Sequence, residues 1–314
     1  MAGERLRVAV VGVGHLGRHH ARILSTLEGA QLVAVVDTNA ERAAAAAAST
    51  GAPARADFRE IIGEVDAVTV AVPTELHREV ALPFLERGVA VLVEKPMARS
   101  LSEADDLIAA ARASGATLAV GHTERYNPAV AAVLPLVTSP RFIEVHRLGA
   151  FPERSLDIDV VFDLMIHDLD IVLALVRSEV ESIEAVGVPV LTAKYDIANA
   201  RLRFASGCIA NVTASRISKE RVRKIRFFQP DAYISIDYAA QEVEGWRLVR
   251  KDGARPAIEG GPLPVARDEP LRRELADFVR AIREQRPPLV DGDAGRRALE
   301  LATRIADKMG SATG

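Results

Sequence analysis

At 314 residues, with 49% hydrophobic and 26% charged positions, the chain is long enough for about two domains, each burying a core of its own. Forty Lys and Arg against 43 Asp and Glu leave a net charge of −3, which excludes the broad basic field of a general nucleic-acid or membrane-surface binder. A single cysteine, Cys208, excludes an internal disulfide, and no Cys/His spacing matches a structural zinc site, so the expectation is a reducing, cytoplasmic compartment and no metal.

No apolar run reaches the roughly 18 residues of a membrane helix, and the first strand starts at Leu6, which leaves no room for a signal peptide. From Leu6 to about Gly121, short apolar runs alternate with helical patterns, the signature of βαβ units. The predicted strands are Leu6 to Val11, Gln31 to Val36, Asp66 to Val72, Ala90 to Val93 and Thr117 to Gly121, with a short one near Ala54. They are mostly apolar, as parallel strands covered on both faces should be. A helix over Ala40 to Thr50 and another opening at Ser102 fall between them.

Beyond Gly121 the pattern changes. A helical stretch at Pro128 to Val137, a strand at Arg141 to Gly149 and a long helix from Asp159 to Val176 come first. The run DIANARLRF then sets Ala198, Ala200, Leu202 and Phe204 on one face and Asn199, Arg201 and Arg203 on the other, which reads as an antiparallel strand with one apolar face. Ser206 and Gly207 turn it into a hairpin, further strands run to Val249, a Pro/Gly-rich loop covers 253 to 264, and two helices close the chain. The reading is therefore α/β. A Rossmann-type doubly wound parallel sheet occupies residues 1–122, and an α+β domain with an open, mostly antiparallel sheet occupies 123–314.

The first strand runs into Gly12-Val-Gly14-His15-Leu16-Gly17 and then a helix. The first glycine permits the tight turn, the second lets backbone approach a pyrophosphate at the helix N-terminus, and the third lets helix and strand pack closely. Asp37 ends the second strand twenty residues later, where a carboxylate accepts hydrogen bonds from a ribose. That carboxylate repels a 2′-phosphate, and Thr38 stands where an NADP site usually supplies Arg, so the expected cofactor is NAD. His15 is a variable loop position, and His19 and His20 lie on the first helix. None of the three is given a catalytic role.

Glu94-Lys95-Pro96 places a lysine at the carboxyl end of a parallel strand, where ligands of open α/β sheets bind. An ammonium there can polarise a substrate oxygen, although the position alone also suits a solvated lysine. Asp163 and His167, four apart on one predicted helix, share a face. The imidazole can take a hydroxyl proton near neutral pH and the carboxylate can orient it; solvated helix faces carry such pairs as well.

With these motifs in hand, the chain resembles the oxidoreductase family typified by glucose-fructose oxidoreductase, inositol dehydrogenase and MocA. The resemblance rests on GVGHLG, on Pro73-Thr74-Glu-Leu-His77, on Glu94-Lys95-Pro96 and on Asp163 to His167, and covers nearly the whole length. It implies that Lys95 and His167 are the catalytic pair, with Asp163 binding and orienting substrate. It implies a cofactor site that adds Pro73, Thr74, His77, Glu94 and Lys95 to Gly12, Gly14, His15, Leu16, Gly17 and Asp37, and a Lys95-Pro96 bond in the cis form. It also implies an open sheet face buried in a homodimer or homotetramer, the face here carrying Asn211, Thr213 and Ile217.

Within the family, GHTERYNPAV (121–130) and VVFDLMIHDLDIV (160–172) are most similar to UDP-N-acetylglucosamine 3-dehydrogenases. Those enzymes oxidise the sugar C3 hydroxyl to a 3-keto nucleotide sugar, from which an aminotransferase makes the 3-amino sugar of lipid A or surface glycans. Arg125, Arg154 and Arg216 are the candidate cations for the diphosphate, and Tyr126 and Asn127 join Asp163 and His167 as expected substrate contacts. An inositol or free-sugar dehydrogenase is the alternative of the same chemistry, and an NAD-sensing regulator without catalysis the alternative of another class.

Overall fold

The computed structural model describes residues 5–151, 158–250 and 255–311. The chain divides into two compact units. One gathers the residues up to Thr123 with Leu271–Leu299; the other is Glu124–Pro270 and the chain from Glu300 onward.

In the first unit β1 (Leu6–Val11), α1 (Gly17–Leu24), β2 (Ala30–Val36), α2 (Ala40–Thr50), β3 (Ala54–Arg55), β4 (Ala67–Val70), α3 (His77–Leu85), β5 (Ala90–Glu94), α4 (Leu101–Ser114) and β6 (Leu118–Gly121) follow in sequence. The strands pair in parallel in the order β3-β2-β1-β4-β5-β6. Helices on both faces explain why β4 and β5 are buried at every residue and read as continuous apolar runs. The strand order reverses between β1 and β4, the place where an open sheet of this kind parts its loops for a ligand.

Local chemistry sets the helix ends. The Asn39 side chain accepts the Arg42 N–H at the start of α2, and Gly51 in the left-handed region ends that helix. For α4 the cap is Ser100, whose hydroxyl accepts the Glu103 N–H. Ser102, the expected start, lies inside the first turn.

A later helix, α7 (Pro270–Glu284), sends Leu275, Phe278 and Val279 into the same core as Val8, Val10, Ile23 and Leu24. Its place after the second domain's strands puts this segment in the expected 123–314 domain. Its apolar stripe instead completes the core under β1.

The second unit contains α5 (Pro128–Val133), β7 (Phe142–Leu148), α6 (Ile166–Val176) and β8 to β13: Val180–Val188, Ile197–Phe204, Ile209–Ser215, Val222–Gln229, Ala232–Asp237 and Glu242–Val249. With β14 (Ala257–Leu263) they form one sheet of order β14-β13-β12-β11-β7-β10-β9-β8, antiparallel throughout except for β7 against β10. The final helix α8 (Gly292–Ser311) gives its first turns to the first unit and the rest to the second.

Two sequence expectations change here. The stretch 253–264, expected as a loop, holds strand β14 in its described part. Gly260 makes this possible, because at φ +153° a Cβ there would lie 2.0 Å from the Gly245 carbonyl oxygen, and Pro262 is tolerated on an edge strand. The long helix of 159–176 is not uniform either: Val161–Met165 form a π turn that leads into α6.

Candidate active site

The loop after β1 meets the demands placed on each glycine. Gly12 has φ +85°, and a Cβ there would stand 2.7 Å from the Ala71 carbonyl oxygen. At Gly17 a Cβ would collide with the Gly12 carbonyl at 1.7 Å, so α1 can start this close to the turn only without a side chain. At Gly14 a Cβ would meet nothing of the protein within 4 Å. The chain thus explains the first and third glycines, and the second leaves a backbone that a pyrophosphate can approach, beside His15 and the half-exposed Leu16. Asp37 closes the site. Its buried carboxylate accepts Val13 N–H at Oδ2 (3.0 Å) and Asn39 N–H at Oδ1 (2.8 Å), which fixes it against the loop and leaves acceptor capacity on Oδ2 for a ribose.

At the end of β5, Lys95 is half-buried and the Lys95-Pro96 bond is cis. Glu94 is buried and points back into the unit, where His20 Nε2 lies 3.0 Å from its Oε1. Its other oxygen accepts the Lys95 backbone N–H at 3.3 Å. Burial pushes the Glu94 carboxyl up, but the hydrogen bond and charge of His20, with the charges of Lys95 and His77, outweigh it and hold Glu94 below the usual carboxylate range. His77 is buried too, with Nδ1 3.0 Å from the Pro96 carbonyl and Nε2 3.0 Å from the Val72 carbonyl. Glu94 and His77, expected at the cofactor, are therefore turned inward and brace the two loops that carry Lys95, Pro73 and Thr74. Pro73 itself is exposed and Thr74 half-buried at the head of the short 3-10 turn before α3.

In the second unit Asp163 sits in the π turn and His167 in the first turn of α6, both half-buried. Their neighbours on the helix are committed elsewhere. Asp168 accepts from Arg147 (2.6 and 3.0 Å), which also reaches Glu124 at 3.1 Å, and Asp170 accepts from Arg125 (2.6 and 2.9 Å). These buried pairs seat α6 so that Asp163 and His167 are left on its more open side.

The expected substrate cations do not survive as a set. Arg125 is buried against Asp170, and Arg216 is buried with bonds to Asp196 Oδ1 (2.9 Å), the Ile158 carbonyl (2.7 Å) and Thr192 (3.1 Å). Both are structural ion pairs, because a buried guanidinium needs a carboxylate of its own. Arg154 lies outside the described residues. Asn127 is also buried: its carbonyl caps α5 at Ala129 N–H, and its amide donates to the Tyr238 carbonyl. Tyr126 is buried beside it. Arg42 and Arg147 carry no expectation from the sequence, and His20, given no catalytic role there, serves as the partner of Glu94. The signal for His20 was Glu94 itself, since a carboxylate predicted at the end of a fully buried strand requires a partner.

Comparison with known proteins decides the family. The model of the oxidoreductase family with an NAD-binding Rossmann fold matches residues 6–122, and that of the GFO/IDH/MocA C-terminal domain matches 142–234. The chain belongs to the Gfo/Idh/MocA oxidoreductases. It is similar to the UDP-N-acetylglucosamine 3-dehydrogenase of Acidithiobacillus ferrooxidans, 40% identical over 304 residues and 96% of each chain. A solved structure of that enzyme superposes with a TM-score of 0.92 at 38% identity, covering 98% of this chain and 99% of the other. Inositol 2-dehydrogenase 1 of Paenarthrobacter aurescens is 31% identical over 224 residues, 67% of this chain and 66% of its own. Levoglucosan dehydrogenase in complex with NADH and levoglucosan, at 20% identity and a TM-score of 0.87 over 98% of each chain, shares the fold. This Gfo/Idh/MocA protein is thus an oxidoreductase with an NAD-binding Rossmann fold. Among the described residues no helix is long and apolar enough to cross a membrane.

Proposed function

We propose that the protein oxidises the C3 hydroxyl of UDP-N-acetylglucosamine. The observation that carries this reading is the 40% identity, over 96% of both chains, to an enzyme of that name. NAD, when bound, supplies the hydride acceptor. His167 takes the proton of the reacting hydroxyl, Asp163 orients the imidazole and binds substrate, and the Lys95 ammonium steadies the oxygen as it becomes a carbonyl. The glycine loop and Asp37 hold the cofactor.

The test is NADH absorbance with UDP-N-acetylglucosamine, free N-acetylglucosamine and myo-inositol. The nucleotide sugar should reduce NAD and the free sugar should be far poorer, because binding energy from the nucleotide is missing. Turnover of inositol with none on any UDP-sugar would hand the assignment to the inositol reading.

The protein works as a homodimer or homotetramer, closed over the open face of the second unit's sheet. Support comes from a row of aromatic side chains across four adjacent strands. Phe142, Phe228, Tyr233 and Trp246 are in register, with ring centroids 5.6 Å apart for the first pair and 5.2 Å for the second. Phe228 and Trp246 keep 36% and 41% of their surface exposed in one chain. Asn211 and Thr213 share this face, one and two rows further along; Ile217 lies past the end of β10.

A further inference from the structure

Asp37 has a companion. The Arg42 guanidinium, in the first turn of α2, holds Oδ1 of Asp37 through Nη2 at 2.9 Å and Nε at 3.2 Å. Its own side chain is 55% exposed, whereas that of Asp37 is 6% exposed. Thr38 directly after the strand suggested that no cation stood at the ribose carboxylate; α2 brings one back from five positions on. The other nearby arginine, Arg55 on β3, turns away to Glu60 (3.8 Å) and the Ala54 carbonyl (3.2 Å).

A ribose 2′-hydroxyl donates to a carboxylate. A 2′-phosphate brings negative charge and only acceptor oxygens, for which a guanidinium is the matched partner. The same few ångströms at the end of β2 thus hold both the group that rejects NADP and the group that would accept it. We propose that Arg42 is a second specificity-determining residue: a preplaced phosphate ligand neutralised by Asp37, so that one carboxylate alone separates this NAD site from an NADP site. The inference rests on the NAD assignment, and binding of NADH itself tests that assignment separately.

The experiment is equilibrium binding of NADH and NADPH by titration calorimetry, with NADPH also measured by displacement of NADH, on the full chain and three variants. In Asp37→Ser, NADPH should tighten at least about tenfold, the value of one charge-assisted hydrogen bond, while NADH weakens. The double variant Asp37→Ser/Arg42→Ala should lose that gain. Arg42→Ala alone should weaken NADPH further and leave NADH within about twofold, since it strips the counter-charge from Asp37 without touching the ribose contact. This last variant alters an exposed side chain and decides the question even where Asp37→Ser fails to fold. The proposal is overturned if the NADPH gain persists without Arg42, if Asp37→Ser folds and binds NADH but gains nothing for NADPH, or if Arg42→Ala leaves NADPH binding unchanged.

Discussion

His20 and Glu94, 74 positions apart in sequence, meet as a buried pair with Nε2 to Oε1 at 3.0 Å. His20 lies on the helix that leaves the glycine loop, and Glu94 immediately precedes Lys95. The pair fastens the cofactor loop's helix to the strand end that carries the candidate catalytic lysine. His20 Nδ1 is buried without a hydrogen-bond partner among the described residues, so the contact to Glu94 is the one that fixes the ring.

His20→Ala should cost about 3–5 kcal/mol of stability, because it strands a buried carboxylate. Glu94→Gln, which keeps the shape and removes the charge, should cost less. The sign of the pH dependence follows from the depressed carboxyl: the unfolded chain binds the proton more readily, so the contribution of Glu94 is complete above its ordinary value of 4.5 and is lost as pH falls below it. Thermal melts between pH 5 and 3 should therefore fall more steeply for the native protein than for Glu94→Gln. Parallel curves would show that Glu94 is not the titrating group.

Lys95→Ala and His167→Ala should each lower turnover by about 10² to 10⁴, the range of a positioned acid-base group, with NAD affinity nearly unchanged. Asp163→Asn should be milder if it orients and binds without exchanging a proton. Steady-state rates paired with separate NAD titrations make the distinction. If His167→Ala retains a third of native turnover, the base lies elsewhere.

Arg216→Ala is expected to act on the fold: Asp196 keeps the N–H groups of Val190, Leu191 and Thr192 but loses its buried counter-charge, at a cost of about 1–3 kcal/mol. Chemical denaturation reads this directly. A raised KM at unchanged stability would instead return Arg216 to the substrate.

For assembly, Trp246→Glu sets a charge into the aromatic row without disturbing the core of the second unit. Light scattering should register a smaller species than the native homo-oligomer. A native protein that already runs as a single chain of 33.8 kDa would remove the basis for the experiment and for the assembly reading together.

The first unit's fold was legible because its signals are local. Apolar runs mark covered strands, Asn39 and Gly51 bracket a helix, and the steric demand at Gly17 comes from the Gly12 carbonyl five residues before it. The edges of the second sheet were not. Only Ile183 is buried in β8, so no alternation announces that strand, and β14 hides behind glycines that are needed only once it lies against β13. Charged residues were the hardest to read. Arg125 and Arg216 look like any surface arginine until Asp170 and Asp196 are seen beside them, and Arg42 becomes informative only when α2 folds it back onto Asp37. The spacing of Asp163 and His167 is visible in the sequence. What sets their exposure, the anchoring of Asp168 and Asp170, is a matter of tertiary pairing.

The core beneath β1 includes Leu275, Phe278 and Val279, contributed more than 150 positions after β6 ends. During synthesis, the amino-terminal sheet therefore emerges from the ribosome long before its last wall exists. Its strands must wait, with apolar surface uncovered, while the whole antiparallel sheet is translated. The unit whose strands come first in this sequence is among the last to be finished, and a nascent chain halted before residue 271 would expose that uncovered core to a chaperone.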